Sequence, residues 1–161
     1  MSTRLKEGVL LTGSVLACQL AGAVGAFFTQ PAIAGWYAAL RKPSFNPPNW
    51  IFGPVWVTLY LLMGFALWLV VRRGLKGREV KLAAGVFAIQ LTLNALWSAA
   101  FFRLHSPLAG LLVIVPLWAA ILLTVVSFLR VSKPAGLLLV PYILWVTYAV
   151  LLNIAILALN R

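Results

Sequence analysis

Residues 50–71 read WIFGPVWVTLYLLMGFALWLVV, Trp50–Val71, with no charged side chain. At about 1.5 Å rise per residue this run is long enough as a helix to cross a hydrocarbon core of about 30 Å. Lipid offers backbone N–H and C=O groups no partner, so a run of this kind has to be helical. Outward from it, four more uncharged runs of similar length extend from Gly8 to Phe28, Leu82 to Phe102, Pro107 to Leu129 and Ala135 to Leu159. The charges sit in the breaks, at Arg41 and Lys42, Arg72 to Lys81, Arg103, and Arg130 with Lys133. This pattern predicts an all-α fold: an integral membrane bundle of five transmembrane helices forming one domain over residues 1–161.

Composition agrees. The 161 residues are 63% hydrophobic and 9% charged, against roughly 25% charged in soluble domains. Thirteen Lys and Arg against two Asp and Glu give a net charge of +11, but the basic residues alternate with apolar runs and form no continuous stripe. They fit phospholipid headgroups and topology rather than nucleic acid. Nine lie at the N-terminus and in the second and fourth loops, four on the opposite face, which places the N-terminus in the cytoplasm. Arg4, Lys6 and Ala32-Ile33-Ala34 imitate a cleavable signal peptide. The apolar run between them exceeds the roughly 7–15 residues of a signal core, which favours a retained first helix.

Several chemistries lack their groups. No Asp, Glu, Lys, Arg or His lies inside the five runs, which argues against an ion-coupled transporter and against hydrolysis within the bilayer. The single cysteine, Cys18, excludes an internal disulfide and a multi-cysteine metal site, and no metal site is expected. His105, in a short loop, is a poor axial ligand for haem; Met63 and Cys18 read as packing residues.

What the membrane runs do hold is aromatic. Of seven tryptophans, Trp36 and Trp50 suit an interfacial belt. Trp56, almost two turns into the second helix, and Trp145, about ten residues into the fifth, lie too deep for one. In the third helix Gln90, Asn94 and Trp97 stand at i, i+4 and i+7 and share a face, with Ser98 beside them. Trp145, Tyr148 and Ala149 repeat this in the fifth helix, the alanine leaving room beside two rings. Aromatic faces, a few amides and a small residue describe a site for a large, flat, mostly apolar molecule, although helix-to-helix hydrogen bonding accounts for the amides equally well. The first helix carries small residues at Gly13, Ala17, Ala21 and Gly25, flanked by Ser14, Cys18, Gly22 and Ala26, a face for close packing or for the lining of a flat ligand. The first loop, from Gly35 to Trp50, holds three prolines, stiff enough to act as a Pro/Trp-rich lid between helices one and two. Arg41 and Lys42 would then stand at the rim, placed to pair with ligand carboxylates.

Taken in order, Trp36-Tyr37, Lys42-Pro43, Pro47-Pro48, Phe52-Gly53-Pro54-Val55-Trp56, Leu59-Tyr60, Gln90, Leu93-Asn94, Trp97-Ser98, Phe101-Phe102, Pro141-Tyr142, Trp145 and Leu152-Asn153 resemble the tryptophan-rich sensory protein/translocator protein family. This family is also called the peripheral-type benzodiazepine receptor, or TspO/MBR, family. The resemblance implies a five-helix bundle, often a homodimer, that binds protoporphyrin IX, haem and similar ligands and requires no cofactor. It places Trp36, Trp56, Gln90, Asn94, Trp97, Trp145 and Ala149 around the ligand. It leads to a porphyrin-binding receptor or sensor that sequesters or moves its ligand. The alternatives are an uncoupled transporter and a light-dependent porphyrin-degrading enzyme working through Trp56 and Trp145. Phe45 stands where the family commonly has a tryptophan. No Lys or Arg follows Tyr148 closely enough to form the family's cholesterol pattern.

Overall fold

The computed structural model describes residues 3–161, and the elements among them are all helical. Helix α1 spans Thr3–Ala32 and runs on through a π-helical turn at Ile33–Tyr37. Helix α2 spans Asn49–Val71, and α3 spans Arg78–Ser98 with a second π-helical turn at Ala99–Arg103. Helix α4 covers Pro107–Val131, and the short α5, Lys133–Leu138, bends into α6, Val140–Leu159. With α5 and α6 taken together, five helices among the described residues are long and apolar enough to cross a membrane. The chain is an integral, multi-pass membrane protein.

The helix ends follow local chemistry. Ser106 caps α4 by accepting from the Ala109 N–H at 3.1 Å, with Pro107 in the first turn where its missing N–H costs nothing. Pro141, in the first turn of α6, marks the bend after α5 in the same way. At the other end of α1 the sequence expectation needs correction. The uncharged run predicts a first loop that begins at Gly35, but α1 passes Phe28 and remains helical through Trp36 and Tyr37. Pro31 lies inside α1 and removes one N–H from its ladder. The helix widens into a π-helical turn just beyond it rather than stopping. The lid is correspondingly shorter, from Leu40 to Pro48.

The helices close into a ring. Helix α1 packs on α2 and α3, α3 on α4, α4 on α5 and α6, and α5 back onto α2. The bundle is solid toward the end that carries the N-terminus: Met63, Ala66, Val70, Phe87, Phe128 and Leu139 are buried, and Phe87 stacks on Phe128 at 5.5 Å. On that end Glu7 pairs with Arg72 at 3.3 Å and accepts from the Trp68 indole at 3.2 Å, fastening α1 to α2. The opposite half, where the lid lies, is hollow.

Helices α1 and α2 touch at Gly64, where an added Cβ would lie 2.7 Å from the Cα of Val15. Among membrane helices such contacts substitute for the hydrophobic effect that lipid abolishes. Gly64→Leu is therefore expected to force the pair apart and to cost about 1–3 kcal/mol, seen as a lower thermal-unfolding midpoint in detergent. Gly85→Leu, at an exposed position with nothing within 4 Å of an added Cβ, leaves the midpoint unchanged.

Candidate functional site

A cavity of about 550 Å³ fills the hollow half between α1, α2, α3 and α6, within the range of about 300–1,000 Å³ usual for small-molecule sites. Its first wall exists because α1 brings few bulky side chains to it. Gly22 lies so close to Tyr60 that an added Cβ would sit 2.6 Å from the ring, and one on Gly25 would sit 3.1 Å from the Ser98 hydroxyl. Beside them Ala23 and Ala26 leave space.

The opposite wall is aromatic. Trp56 of α2 lies 5.6 Å from Tyr60 and 6.5 Å from Trp97 of α3, with interplanar angles of 31° and 34°. Trp97 continues to Phe101 at 5.8 Å and Phe102 at 5.9 Å. Both phenylalanines belong to the π-helical turn at Ala99–Arg103, and both line the cavity. Ala149, Leu152, Asn153 and Ile156 of α6 complete the enclosure. The cavity opens sideways between α1 and α2, where Ala23, Ala26 and Gln30 face Trp50, Gly53 and Val57 and all six are exposed. Gln19 closes the inner end of this gap by donating to the Val57 carbonyl at 3.2 Å.

The deep polar groups bond to one another. The Tyr60 hydroxyl donates to Asn94 Oδ1 at 2.6 Å, and Asn94 Nδ2 donates to the Tyr142 hydroxyl at 2.7 Å. Tyr142 donates in turn to Gln90 Oε1 at 2.8 Å, and Gln90 Nε2 reaches the Met63 sulfur at 3.8 Å. Nearer the lid, the Trp97 indole donates to Asn153 Oδ1 at 3.3 Å while Asn153 Nδ2 donates to the Pro107 carbonyl at 2.7 Å. Among the described residues no buried polar side-chain atom lacks a partner.

The residues singled out in the sequence separate into two groups. Trp56, Asn94, Trp97 and Ala149 stand on the cavity wall. Gln90 lies one turn below Asn94, inside the hydrogen-bond chain rather than on the wall. Trp145 sits behind Phe52, 6.0 Å away, and Phe52 is the ring that lines the cavity. Tyr148 donates to the Phe45 carbonyl and so holds the lid. Trp36 packs against Phe101 at 5.5 Å and stacks on His105 at 4.9 Å, outside the wall. Arg41 and Lys42 do not reach the cavity. The Lys42 ammonium donates to the carbonyls of Ala38 and Leu40, both at 3.1 Å, and lies 4.8 Å above the Tyr37 ring. Among the described residues, none that lines the cavity is charged.

The lid also works differently from the flap expected over the bundle mouth. Between Ala38 and Pro48 no residue lines the cavity. The segment is anchored on the end of α6, where Asn160 accepts from the Arg41 N–H at 3.0 Å and donates to the Arg41 carbonyl at 2.9 Å. Its link to the cavity is Tyr37, a buried lining residue whose hydroxyl donates to Asn46 Oδ1 at 2.9 Å. Tyr37, Tyr60, Gln19, Gln30, Asn49, Phe101 and Phe102 were missed as lining residues. The small-residue row of α1 was the available signal for its side of the wall; nothing in the spacing announces the second π-helical turn.

Compared with known proteins, residues 14–159 match the model of the TspO/MBR family. The chain is 52% identical to the tryptophan-rich protein TspO of Chlorobaculum tepidum, over 89% of this chain and 90% of that protein. It is 38% identical to the tryptophan-rich sensory protein of Cereibacter sphaeroides, over 78% and 77% of the two chains. With the translocator protein of Bos taurus it shares 37% identity over 88% and 84%.

Two outcomes follow from this geometry. Asn94→Leu strands the Tyr60 and Tyr142 hydroxyls in an apolar interior, so it is expected to cost about 1–3 kcal/mol, measured as a fall in the thermal midpoint. Asn160→Ala removes both bonds to the Arg41 backbone, so hydrogen exchange at the Arg41 amide accelerates, while amides in the middle of α4 keep their protection.

Proposed function

This chain belongs to the TspO/MBR family, and from that footing we propose that it is a membrane receptor-like protein whose ligand is a porphyrin, protoporphyrin IX or haem, or a similarly flat apolar molecule. One observation carries the reading: an aromatic-walled cavity in one half of the bundle, open sideways at a depth where lipid would lie. A ligand of this kind partitions into the bilayer and reaches the gap between α1 and α2 without crossing water. Inside, Trp56 and Trp97 offer ring faces for offset or edge contacts, and Phe101 and Phe102 extend the surface. The glycines and alanines of α1 let a planar molecule lie against the backbone.

The receptor-like part of the proposal rests on Tyr37. It lines the cavity and is bonded to Asn46 of the lid, so a ligand that displaces its ring moves a segment on the outer face. The distribution of basic residues, nine against four, supports a cytoplasmic N-terminus and a lid on the opposite side of the membrane. A homodimer is part of the same proposal, supported by family membership.

The test is quenching of tryptophan fluorescence by protoporphyrin IX with the full chain in lipid nanodiscs. Trp56→Leu removes one aromatic face and is expected to weaken binding roughly tenfold. Trp118→Phe, whose indole bonds Thr147 away from the cavity, binds as the parent does. A Trp56→Leu variant that binds the porphyrin with unchanged affinity would remove the cavity from the proposal.

A further inference from the structure

The densest charge on the molecule lies where α2 turns into α3, at the solid end of the bundle. From Arg72 to Lys81 the chain reads RRGLKGREVK, five cations with one carboxylate. Arg72 is engaged within the protein: Glu7 of α1 pairs with it at 3.3 Å, and its guanidinium lies 4.5 Å above the Trp68 ring. Arg73, Lys76, Arg78 and Lys81 are exposed, and among the described residues none of them has an ion pair or a side-chain hydrogen bond. The Glu7–Arg72 pair also holds the start of α1 against this link, which adds Arg4 and Lys6, exposed and likewise unpaired. Like charges gathered this closely repel one another, and the only carboxylate beside them left unpaired is Glu79. Their compensation has to come from outside the chain.

The depth of the surface and its one apolar residue indicate what supplies it. Trp68, one turn before Arg72, is half-buried and donates its indole to Glu7, as a ring at a membrane boundary does. The link therefore leaves α2 at headgroup level. Leu75 is 54% exposed between Arg73 and Lys76, on a turn made at Gly74 with φ +96°. An apolar side chain among cations suits the boundary between headgroups and acyl chains and offers nothing to a polyanion in water. The opposite end has no such run. Its four basic residues come from three separate segments, and Lys42 is committed to backbone carbonyls and the Tyr37 ring.

We propose that Arg73, Lys76, Arg78 and Lys81, with Arg4 and Lys6, form a binding surface for anionic phospholipid headgroups. Lipid phosphates accept from the guanidinium and ammonium groups while Leu75 enters the acyl region, so anionic lipid collects beside α1, α2 and α3 at the solid end of the bundle. The inference is independent of what the cavity binds.

Local lipid composition at the two ends tests it. Cys18 is fully buried, so a single cysteine introduced at an exposed position carries a bimane label alone. Leu82→Cys puts the label near the start of α3, beside the surface, and Leu108→Cys puts it near the start of α4, at the other end; both leucines are exposed. Each labelled full chain is placed in phosphatidylcholine vesicles holding the same small fraction of a quenching lipid with brominated chains, phosphatidylglycerol in one set and phosphatidylcholine in the other. At low salt the brominated phosphatidylglycerol is expected to quench at position 82 as though enriched roughly fivefold, and at position 108 about twofold or less. At about 1 M salt, where the screening length is about 3 Å, most of the enrichment is lost. Arg73→Gln with Lys76→Gln brings the enrichment at 82 to about twofold or less, whereas Arg103→Gln with Arg161→Gln, which removes the same charge from the other end, leaves it unchanged. All four positions are exposed, and an unchanged thermal midpoint verifies the fold. Equal quenching by the two lipids at position 82 of the otherwise unsubstituted chain overturns the inference. So does equal enrichment at both ends, or an enrichment that survives the Arg73 and Lys76 substitutions. If polyuridylate displaces the anionic lipid from position 82 at about 0.15 M salt, the surface serves a soluble polyanion and the inference also fails.

Discussion

The hydrogen-bond chain Tyr60–Asn94–Tyr142–Gln90 is the constraint around which the hollow half is organised. Each member is at most 5% exposed, at a depth where neither lipid nor water can satisfy it. Leaving one unpaired in the protein interior would cost about 1–3 kcal/mol, so the four groups fix one another's positions. Because they come from α2, α3 and α6, the chain sets the spacing of three helices at once. Below it the side chains are buried against one another; above it the same helices line the cavity. A cavity inside a membrane bundle needs some such floor, because ordinary packing would otherwise collapse it.

The remaining walls come from departures from regular helix chemistry. Glycines at 22 and 25 bring α1 against Tyr60 and Ser98 without filling the interior. The π-helical turn at Ala99–Arg103 adds one residue to a turn of α3, and Phe101 is buried against Trp36, Tyr37 and Trp97. Its counterpart at Ile33–Tyr37 keeps α1 helical past Pro31, which delivers Tyr37 to the cavity. Both insertions occur at the same end of the bundle, where such turns often mark functional sites.

How much of this was legible depended on which force set each feature. The five spans were readable because an uncharged run has one solution in lipid. Asn94, Trp97 and Ala149 are legible because helical period fixes which residues share a face, and Trp56 because it lies too deep in α2 for an interfacial belt. Period says nothing about distance along the axis to the cavity, so Gln90, one turn away on that face, ended in the floor and Trp145 behind Phe52. Arg41 and Lys42 were expected at a rim because the lid was expected to cover the mouth. The lid is instead captured by Asn160, a partner 119 residues away that no local pattern announces. Gln30 escapes a sequence reading for a related reason: an exposed glutamine near a helix end has no periodic signature, and only the packing of α1 beside α2, at the gap between them, brings it to the cavity.

That gap also separates two tasks that a mouth-covering flap would combine. Access lies on the side of the bundle, past Trp50, Gly53 and Val57, where the barrier is the close contact of α1 with α2 and the Gln19 bond at its inner end. The lid does not guard this route. It is stapled to α6 by Asn160 and Tyr148 and to α1 by Tyr37, so its position reports the relation of two helices on opposite sides of the cavity. Between the two attachment points, Arg41 on the Asn160 side and Asn46 on the Tyr37 side, lie only four residues, and Pro43 among them allows little slack. Stiffness in the loop therefore bears less on shutting the cavity, whose opening lies to the side, than on holding α1 and α6 in register at the end of the bundle.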